Sequence, residues 1–287
     1  HAAGYHRDDG VFVSDESASE ALHIRVGGLH FSFSARNPLK SLVGHLFGLI
    51  GRVPLITLHN AHIAPRGLAV EAVRVALPTV TPGLAGLRIG LLTDLHHEPG
   101  RPVALLARAV KLLAGAAPDL ILLGGDYVNS SGEEFDRPLA LLAGLRAPLG
   151  VYGVLGNHDY WAGGDFIAAR LAGVGITVLR NVAHPLQTTG GAACWIVGVD
   201  STVRGHDDLD GAFACIPPGD FRLLLAHEPE VADIVATRGH RVDLQLSGHS
   251  HGGQVVLPGI GPSATIAMLL PVTFALSPVT SMIVSAD

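Results

Sequence analysis

Cysteine and charge are both scarce in this chain of 287 residues, which has two cysteines and only 15% charged residues. Cys194 lies in the apolar run 192–199, which favours a buried thiol over a disulfide. Lys and Arg total 19 against 25 Asp and Glu, a net charge of −6. No stretch is rich enough in Lys or Arg to indicate nucleic-acid binding, so a nucleic-acid partner is not expected.

Histidine, in contrast, is abundant, with 16 copies. Because imidazole is the commonest side-chain metal ligand, this number invites a search for metal sites. The length allows one main α/β domain with additional segments. No internal repeat or low-complexity segment is visible.

The amino-terminal part is less informative. Residues 1–37 lack the charged-then-apolar layout of a secretory signal. Residues 41–58 are apolar and about as long as the shortest membrane spans. However, Arg52 would cost roughly 2.5–3.5 kcal/mol near a helix centre, and Pro54 interrupts the pattern. The segment is either a surface-packed or partly disordered helix, or a helix that associates with a membrane surface.

These features predict an amino-terminal extension, 1–65, followed by one domain, 66–287. The carboxyl end, 263–287, is a charge-poor apolar tract. It is interpreted in three ways: a divergent closing strand, a lipid-facing surface or a poorly packed tail.

From residue 68 onward, β-type and helical patterns alternate, which predicts an α/β architecture. Short apolar runs bounded by turn residues indicate strands, and apolar residues at helical spacing indicate helices. The predicted strands are 68–77, 87–93, 120–124, 151–155, 176–179, 192–199, 221–226 and 242–247, and the predicted helices are 102–117, 135–145, 165–171 and 230–237.

Polar side chains that bind metals follow five of these strands. In open α/β sheets, ligands bind at the carboxyl ends of the strands. Each of these short polar motifs alone has an ordinary structural explanation, but five such motifs at the ends of five strands indicate one site. Its members are Asp94, His96, Asp126, Asn157, His158, His227, His249 and His251.

The ligand types are mutually consistent. Two carboxylates, one amide oxygen and four imidazoles, with no thiolate, suit divalent Mn, Fe, Zn, Ni or Co. Seven ligands can hold two ions if one ligand bridges, and Asp126 is the natural bridge because a carboxylate has two oxygens to share. Two ions close together can assist a displacement at phosphorus.

The blocks Asp94-x-His96, Gly125-Asp126, Gly156-Asn157-His158-Asp159, His227 and Gly248-His249-x-His251 resemble the five ordered signatures of the calcineurin-like metallophosphoesterase superfamily. The flanking residues 118–120, 150–152, 252–254 and 257–258 resemble its bacterial branch of small, often membrane-associated phosphodiesterases. That branch includes enzymes that act on lipid-linked diphosphates. The resemblance covers about residues 66–261.

This resemblance implies a four-layer α/β/β/α sandwich with a dinuclear centre between the sheets, and a metal-bridging hydroxide as the nucleophile. The residues expected to carry the chemistry are His158, Asp94 and Asn157, with His158 donating a proton or hydrogen bond to the leaving oxygen. The first ion would be held by Asp94, His96, Asp126 and His251, and the second by Asp126, Asn157, His227 and His249.

One position departs from the pattern. Relatives often carry an acid three residues after the Gly-Asp block, where it can orient the following histidine, but Asn129 stands there. An amide can hydrogen-bond the imidazole of His158 but cannot stabilise imidazolium by charge, so weaker proton donation is expected.

The sequence therefore predicts a phosphodiesterase acting on lipid-linked or nucleotide diesters, located in the cytoplasm or peripherally at the bacterial cell membrane. The alternatives are a metal-binding scaffold with little turnover and a phosphomonoesterase. Tyr160 and Trp161 either line a pocket for an aromatic or sugar group, or pack in the core behind the loop.

Overall fold

The structure, a computed structural model, describes residues 68–75, 83–188, 191 and 193–250, and the strand segments 5–6, 12–13, 21–26, 29–34, 256–257, 261–262 and 281–286. Contacts between Cα atoms divide the chain into two compact units, 1–56 with 253–275 and 57–252 with 276–287. The predicted boundary at residue 65 and the apolar segment 41–58 lie outside the described residues, so both stay predictions.

Within the described residues there are sixteen strands and six helices. The strands are β1 (Tyr5–His6), β2 (Phe12–Val13), β3 (Ala21–Val26), β4 (Leu29–Ser34), β5 (Glu71–Val75), β6 (Arg88–Leu92), β7 (Leu120–Leu123), β8 (Val151–Gly153), β9 (Thr177–Val178), β10 (Val182–Gln187), β11 (Ala193–Val199), β12 (Phe221–Ala226), β13 (Leu244–Leu246), β14 (Val256–Leu257), β15 (Gly261–Pro262) and β16 (Ser281–Ala286). The helices are α1 (Ala104–Gly115), α2 (Asp136–Leu142), α3 (Asn157–Trp161), α4 (Gly164–Gly173), α5 (Leu209–Phe213) and α6 (Val231–Thr237).

The unit that contains residues 57–252 has two sheets. The larger has the strand order β5-β16-β6-β7-β8-β9, with β6 to β9 parallel and β16 antiparallel to β6. The smaller has the order β10-β11-β12-β13, with β10 antiparallel to β11 and the other pairs parallel. The other unit contains the antiparallel pairs β1-β2, β3-β4 and β14-β15.

The larger sheet is covered on both faces, because alternate residues of a strand point to opposite sides. On β7, Ile121 and Leu123 pack in the core cluster formed with α1, α2 and α4, whereas Leu120 and Leu122 pack in a second cluster. All four are fully buried, which is typical of parallel strands between two layers. Each such side chain contributes about 1.5–3 kcal/mol of burial energy.

The second cluster joins the two sheets, since it also contains Leu223 and Leu225 of β12. The intervening residues, Leu224 and Ala226, pack against α5 and α6 in a third cluster. The layers therefore run helices, sheet, sheet, helices, which confirms the predicted α/β/β/α sandwich.

All eight predicted strands and four predicted helices have counterparts in the structure. Between residues 68 and 250, three described elements were not predicted: the edge strand β10, and the short helices α3, expected as a loop, and α5. The strands β1 to β4, β14 and β15 of the other unit were not predicted either. Strand β16 inserts between β5 and β6, so residues 281–286 of the apolar tract form a closing strand. Residues 263–280 of the tract lie outside the described residues. No helix in the described part of the chain is long and apolar enough to cross a membrane.

Candidate metal centre

The carboxyl ends of the central strands of both sheets meet at one place. Asp94 follows β6, Asp126 follows β7, and His227 and His249 follow β12 and β13. Two hydrogen bonds join the sheets there: the His249 N–H donates to the Asp94 carboxylate, and Nδ1–H of His227 donates to the Gly124 carbonyl at 2.7 Å. The topology thus assembles residues far apart in sequence.

The backbone at this place is strained. Seven non-glycine residues in the described part of the chain have positive φ, and four of them are predicted metal ligands. A left-handed backbone costs roughly 1–3 kcal/mol for an ordinary residue and persists only where the surroundings enforce it, commonly at functional sites. These four residues are Asp94 (φ 56°), His96 (φ 43°), Asp126 (φ 54°) and His249 (φ 65°).

Asp126 is the centre of the cluster. Its Oδ2 lies 3.5 Å from Nε2 of His96 and 3.2 Å from Nε2 of His227. Two groups of ligand atoms, each within a 4.8 Å span, both include this carboxylate: one with His96 and His158, the other with His227 and His249. A carboxylate common to both groups fits the bridging position predicted for it.

The electrostatics couple Asp126 to its neighbours. Burial by itself raises the pKa of this carboxyl, but His227, His158 and His96 together hold it well below its usual range. Burial alone would lower the pKa of His227, yet the Asp126 carboxylate raises it to about 10. Both residues are almost fully buried, at 1% and 0% exposure. Without a cation, a proton on His227 therefore balances the charge of Asp126.

One buried polar atom indicates that the cluster fits a metal. Oδ1 of Asn157 has no hydrogen-bond partner in the protein, although such atoms are normally paired. It belongs to a residue predicted to bind the second ion. The donor atoms brought together are carboxylate, amide and imidazole, which suits a divalent ion. His251, predicted for the first ion, lies outside the described residues.

Close packing around the carboxylates explains two glycines. A Cβ on Gly156 would lie 2.1 Å from Oδ1 of Asp126, and one on Gly248 would lie 2.7 Å from Oδ2 of Asp94. No side chain fits at either position, because real Cβ atoms do not approach within 3.0 Å. The Gly-Asn-His and Gly-His blocks thus need glycine for steric reasons.

Asp159, to which no role was assigned from the sequence, anchors two segments of the site. Its carboxylate accepts the N–H groups of Asp126, Tyr127 and Gly156 at 2.8–2.9 Å and that of Val128 at 3.3 Å. Burial and the Asp126 charge raise its pKa, whereas these amide donors favour the charged form. An acid three residues after a glycine that begins a helix is a capping signal that sequence reasoning could have used.

His158 is oriented differently from the expectation. Its Nδ1–H donates to the backbone carbonyl of Asn129, so Nε2 is the nitrogen left to face a substrate. The Asn129 side chain instead donates to the Glu98 carboxylate. The Asn129 side chain therefore makes no hydrogen bond with His158, because the backbone carbonyl supplies the acceptor. The weaker proton donation expected from the sequence stays a prediction.

A second polar network holds helix α3 to the smaller sheet. The buried Asp200, at the end of β11, accepts hydrogen bonds from Tyr160 Oη and, at 2.9 Å, from Nε of Arg180. Arg180 also donates to Tyr160 Oη at 3.0 Å. The Tyr160 ring stacks on His206, with centroids 4.1 Å apart. Helix α3, which carries Asn157 and His158, is therefore fixed from both sheets.

Known proteins share this combination of fold and cluster. The family model for calcineurin-like phosphoesterases matches residues 87–253, more than half of the chain, and the chain belongs to that family. Members of this family are phosphoesterases that depend on divalent metals, and the donor atoms of the cluster suit such ions.

Three relatives illustrate the range of the family. The chain is 32% identical to the metallophosphoesterase YkuE of Bacillus subtilis, over 64% of each chain. It is 34% identical to the phosphodiesterase YaeI of Escherichia coli, over 67% of this chain and 70% of that one. It is 27% identical to the UDP-2,3-diacylglucosamine pyrophosphatase LpxG of Chlamydia trachomatis, over 69% of this chain and 73% of that one. The chain thus spans slightly less than two thirds of the length of YkuE.

Proposed function

We propose that this phosphoesterase binds two divalent ions and hydrolyses phosphodiesters. The observation that carries the proposal is the position of Asp126, whose carboxylate belongs to two separate groups of ligand atoms. The partnerless Oδ1 of Asn157 supports it, since a second ion would satisfy this atom. The similarity to the phosphodiesterase YaeI favours diesters over monoesters.

Each ion has its own ligand set in this proposal. Divalent ions held there would supply a water molecule of lowered pKa as the nucleophile and would neutralise charge on the phosphate. Both sets contain oxygen and nitrogen donors only, in keeping with Mn, Fe, Zn, Ni or Co. The sets are Asp94, His96, Asp126 and His251 for one ion, and Asp126, Asn157, His227 and His249 for the other.

His158 supplies the proton for the leaving oxygen. Nδ1–H donates to the Asn129 carbonyl, so in the doubly protonated imidazolium Nε2–H is the group that would donate to the leaving oxygen. The backbone N–H of His158 also donates to Oδ1 of Asp126 at 2.9 Å, which fixes the histidine beside the proposed bridging carboxylate. The proton donor is thereby held at a fixed position beside the ligands, as general acid catalysis requires.

We infer further that the substrate is a lipid-linked or similarly apolar phosphodiester met at the bacterial membrane surface. The mean hydropathy of +0.40 and the apolar segment 41–58 support this inference, as does the similarity to LpxG. In this proposal residues 66–287 are the catalytic domain and 1–65 an extension. Liposome sedimentation of the whole chain and of a variant lacking 41–58 tests it: equal recovery of both with the vesicles would contradict membrane association through this segment.

Hydrolysis of a simple aryl phosphodiester tests the dinuclear diesterase. The protein is stripped with a chelator and reloaded with Mn²⁺, and metal content is measured beside the rate. Asn157→Ala should lose bound metal and activity, whereas His158→Ala should keep metal but lose roughly a hundredfold or more in kcat. His184→Ala, on the edge strand β10, is the matched control and should behave like the wild type.

Each other outcome identifies an alternative. Two bound ions without turnover of any diester would indicate a metal-binding scaffold. Hydrolysis of aryl monoesters in preference to diesters would indicate a phosphomonoesterase. A protein that binds no metal at pH 7 would contradict the proposed centre altogether.

A further inference from the structure

Trp161 is a large apolar side chain that lies open to solvent beside the candidate site. It is 52% exposed, although large aromatic side chains are usually mostly buried. Its ring centroid lies 4.2 Å from that of His158, with the planes inclined by 60°. The alternative drawn from the sequence, core packing behind the loop, is wrong for Trp161 because half of the side chain faces solvent.

The three rings at this place have a definite order. His158 contacts His96 at a centroid distance of 4.6 Å, and it contacts Trp161 at 4.2 Å. His96 belongs to the proposed metal ligands, His158 is the proposed proton donor, and Trp161 is the exposed member. A leaving group that takes its proton from His158 therefore lies within reach of the indole.

The position of Trp161 is fixed by the residues before it in α3. Asp159 accepts four backbone N–H groups, and Tyr160 is held by Asp200 and Arg180. An aromatic ring that is immobilised before binding loses little conformational entropy when a ligand packs on it. The exposed face of Trp161 is thus prepared for contact with a ligand.

We propose that Trp161 is a specificity-determining residue that packs against the leaving group and favours leaving groups with a flat apolar face, such as aryl or heteroaryl alcohols. This inference rests on the proposed phosphodiesterase function and on His158 as the proton donor. Offset or edge-to-face packing between aromatic rings provides the preference. Aliphatic leaving groups of similar acidity lack such a face and gain less from the contact.

Two substrates distinguish the effect of packing against Trp161 from the intrinsic reactivity of the leaving group. Methyl phenyl phosphate and methyl hexafluoroisopropyl phosphate have leaving alcohols of similar acidity but different shape. The quantity measured is the ratio of kcat/KM for the phenyl substrate to that for the fluoroalkyl substrate. Any disturbance of His158 affects both substrates, so it cancels in the ratio.

The expected result is specific to the ring. Trp161→Ala should lower the ratio roughly three- to tenfold, mainly through KM of the phenyl substrate, and Trp161→Phe should retain most of it. Phe166→Ala, which removes an aromatic side chain of α4 that is 49% exposed, is the control and should leave the ratio unchanged. An unchanged ratio in Trp161→Ala, or an equal fall of both rates, would overturn the proposal.

A binding measurement keeps this test separate from the test of function. The second tryptophan, Trp195, donates from Nε1 to Asp220 at 2.8 Å on β11, and Trp195→Phe leaves Trp161 as the sole indole reporter. In the Mn²⁺-loaded variant, phenylphosphonate should quench the emission at lower concentration than methylphosphonate does. This expectation holds even if neither diester is hydrolysed, in which case the proposed function fails for these substrates.

Two outcomes of the binding measurement would overturn the proposal. Equal affinity for the two phosphonates would remove the preference for a flat apolar group. An unchanged preference for phenylphosphonate over methylphosphonate in Trp161→Ala, measured by competition, would show that a residue other than Trp161 causes this preference. The kcat/KM ratio of the two diesters and the relative affinity for the two phosphonates could also both stay unchanged in Trp161→Ala while binding to phosphatidylglycerol vesicles is lost. In that case the indole would be a membrane contact.

Discussion

The backbone N–H of His249 lies 3.0 Å from Oδ1 and 3.1 Å from Oδ2 of Asp94, so one carboxylate accepts a shared hydrogen bond from the other sheet. Oγ1 of Thr93 donates to the same carboxylate at 2.9 Å. Asp94 and His249 belong to different proposed ions. The Asp94 carboxylate therefore serves as a proposed ligand and also fixes the two halves of the centre relative to each other.

Asp94→Asn tests this double role. An amide keeps one acceptor oxygen but loses the charge, and its NH₂ group can oppose the His249 N–H. We expect metal content per chain to fall and kcat on an aryl phosphodiester to drop by about a hundredfold. Elemental analysis and steady-state kinetics measure the two effects.

The control for this change is Asp119→Asn. Asp119 precedes β7 and accepts the Arg88 N–H at 2.9 Å, outside the cluster. It should leave metal content and kcat unchanged. Full metal content in Asp94→Asn would contradict its assignment as a ligand.

Much of the fold between residues 88 and 226 was predictable because the strands β6, β7, β8, β11 and β12 are mostly buried apolar runs. The edge strand β10 was missed because only Leu186 of its six residues is buried and Pro185 interrupts it, so no alternating pattern exists. Helix α5 has one turn, too short for helical spacing to register, although its N-cap Asp208 accepts the Gly211 N–H. Sequence patterns report burial over several residues, so β10 gives no signal because it has too little buried surface, and α5 gives none because it is too short.

Proton release on metal binding is a second expectation. The Asp126 carboxylate raises the pKa of His227 to about 10, against the effect of burial. His227 thus carries a proton at neutral pH in the metal-free protein, and an ion bound at Nε2 must displace it. Binding should tighten as pH rises and release about one proton per chain from this residue near pH 7.

Calorimetric titration with Mn²⁺ in two buffers of different ionisation enthalpy measures this release. His240→Gln removes a histidine paired with Asp210 at 2.7 Å outside the site, and it should leave the proton count unchanged. Affinity that does not vary between pH 6 and 8 would contradict the expectation.

The same shift predicts the pH dependence of stability in the metal-free protein. The pKa of His227 in the folded protein lies above the unfolded value of 6.5. The contribution of this histidine to the free energy of unfolding is therefore complete below pH 6.5 and is lost as the pH rises toward 10. We expect the free energy of unfolding in denaturant to fall over this interval without metal. A stability that rises between pH 7 and 9 in the metal-free protein would show that another group dominates.

Asp159→Asn should destabilise the protein. It leaves the charge of the protein surface nearly unchanged because Asp159 is fully buried. The carboxylate accepts four backbone N–H groups, and an amide in its place points its own donors at some of them. Unsatisfied buried donors cost about 1–3 kcal/mol each, so a loss of about 3 kcal/mol is expected in urea unfolding. Asp233→Asn, exposed on α6, should change the value by less than about 0.5 kcal/mol.

The position of Asn129 shows where sequence reasoning reached its limit. A side chain at the right spacing suggested a contact with His158, but the contact is made by the backbone carbonyl, which every residue has. The side chain binds Glu98, 31 residues earlier. Only the tertiary arrangement of the 94–101 and 125–134 segments decides between these partners.

Asn129→Asp, which introduces the acid expected at this position from the family resemblance, should therefore impair this protein. The new carboxylate would face Glu98, and like charges at hydrogen-bond distance repel. We expect a fall in kcat and in stability, because the loop that carries the His158 acceptor moves. Glu98→Gln in the same chain should reverse much of the loss, since the Gln amide can donate to the new carboxylate.

A double-mutant cycle of Asn129→Asp and Glu98→Gln measures this coupling. The single Glu98→Gln change is mild in this scheme, because its amide oxygen still accepts from Asn129, although it loses the ion pair with Arg101 at 3.0 Å. A coupling energy of at least about 1 kcal/mol is expected from kcat/KM, with the double variant more active than Asn129→Asp alone. An Asn129→Asp protein faster than the wild type would show that a carboxylate at this position reaches His158, against the geometry described above.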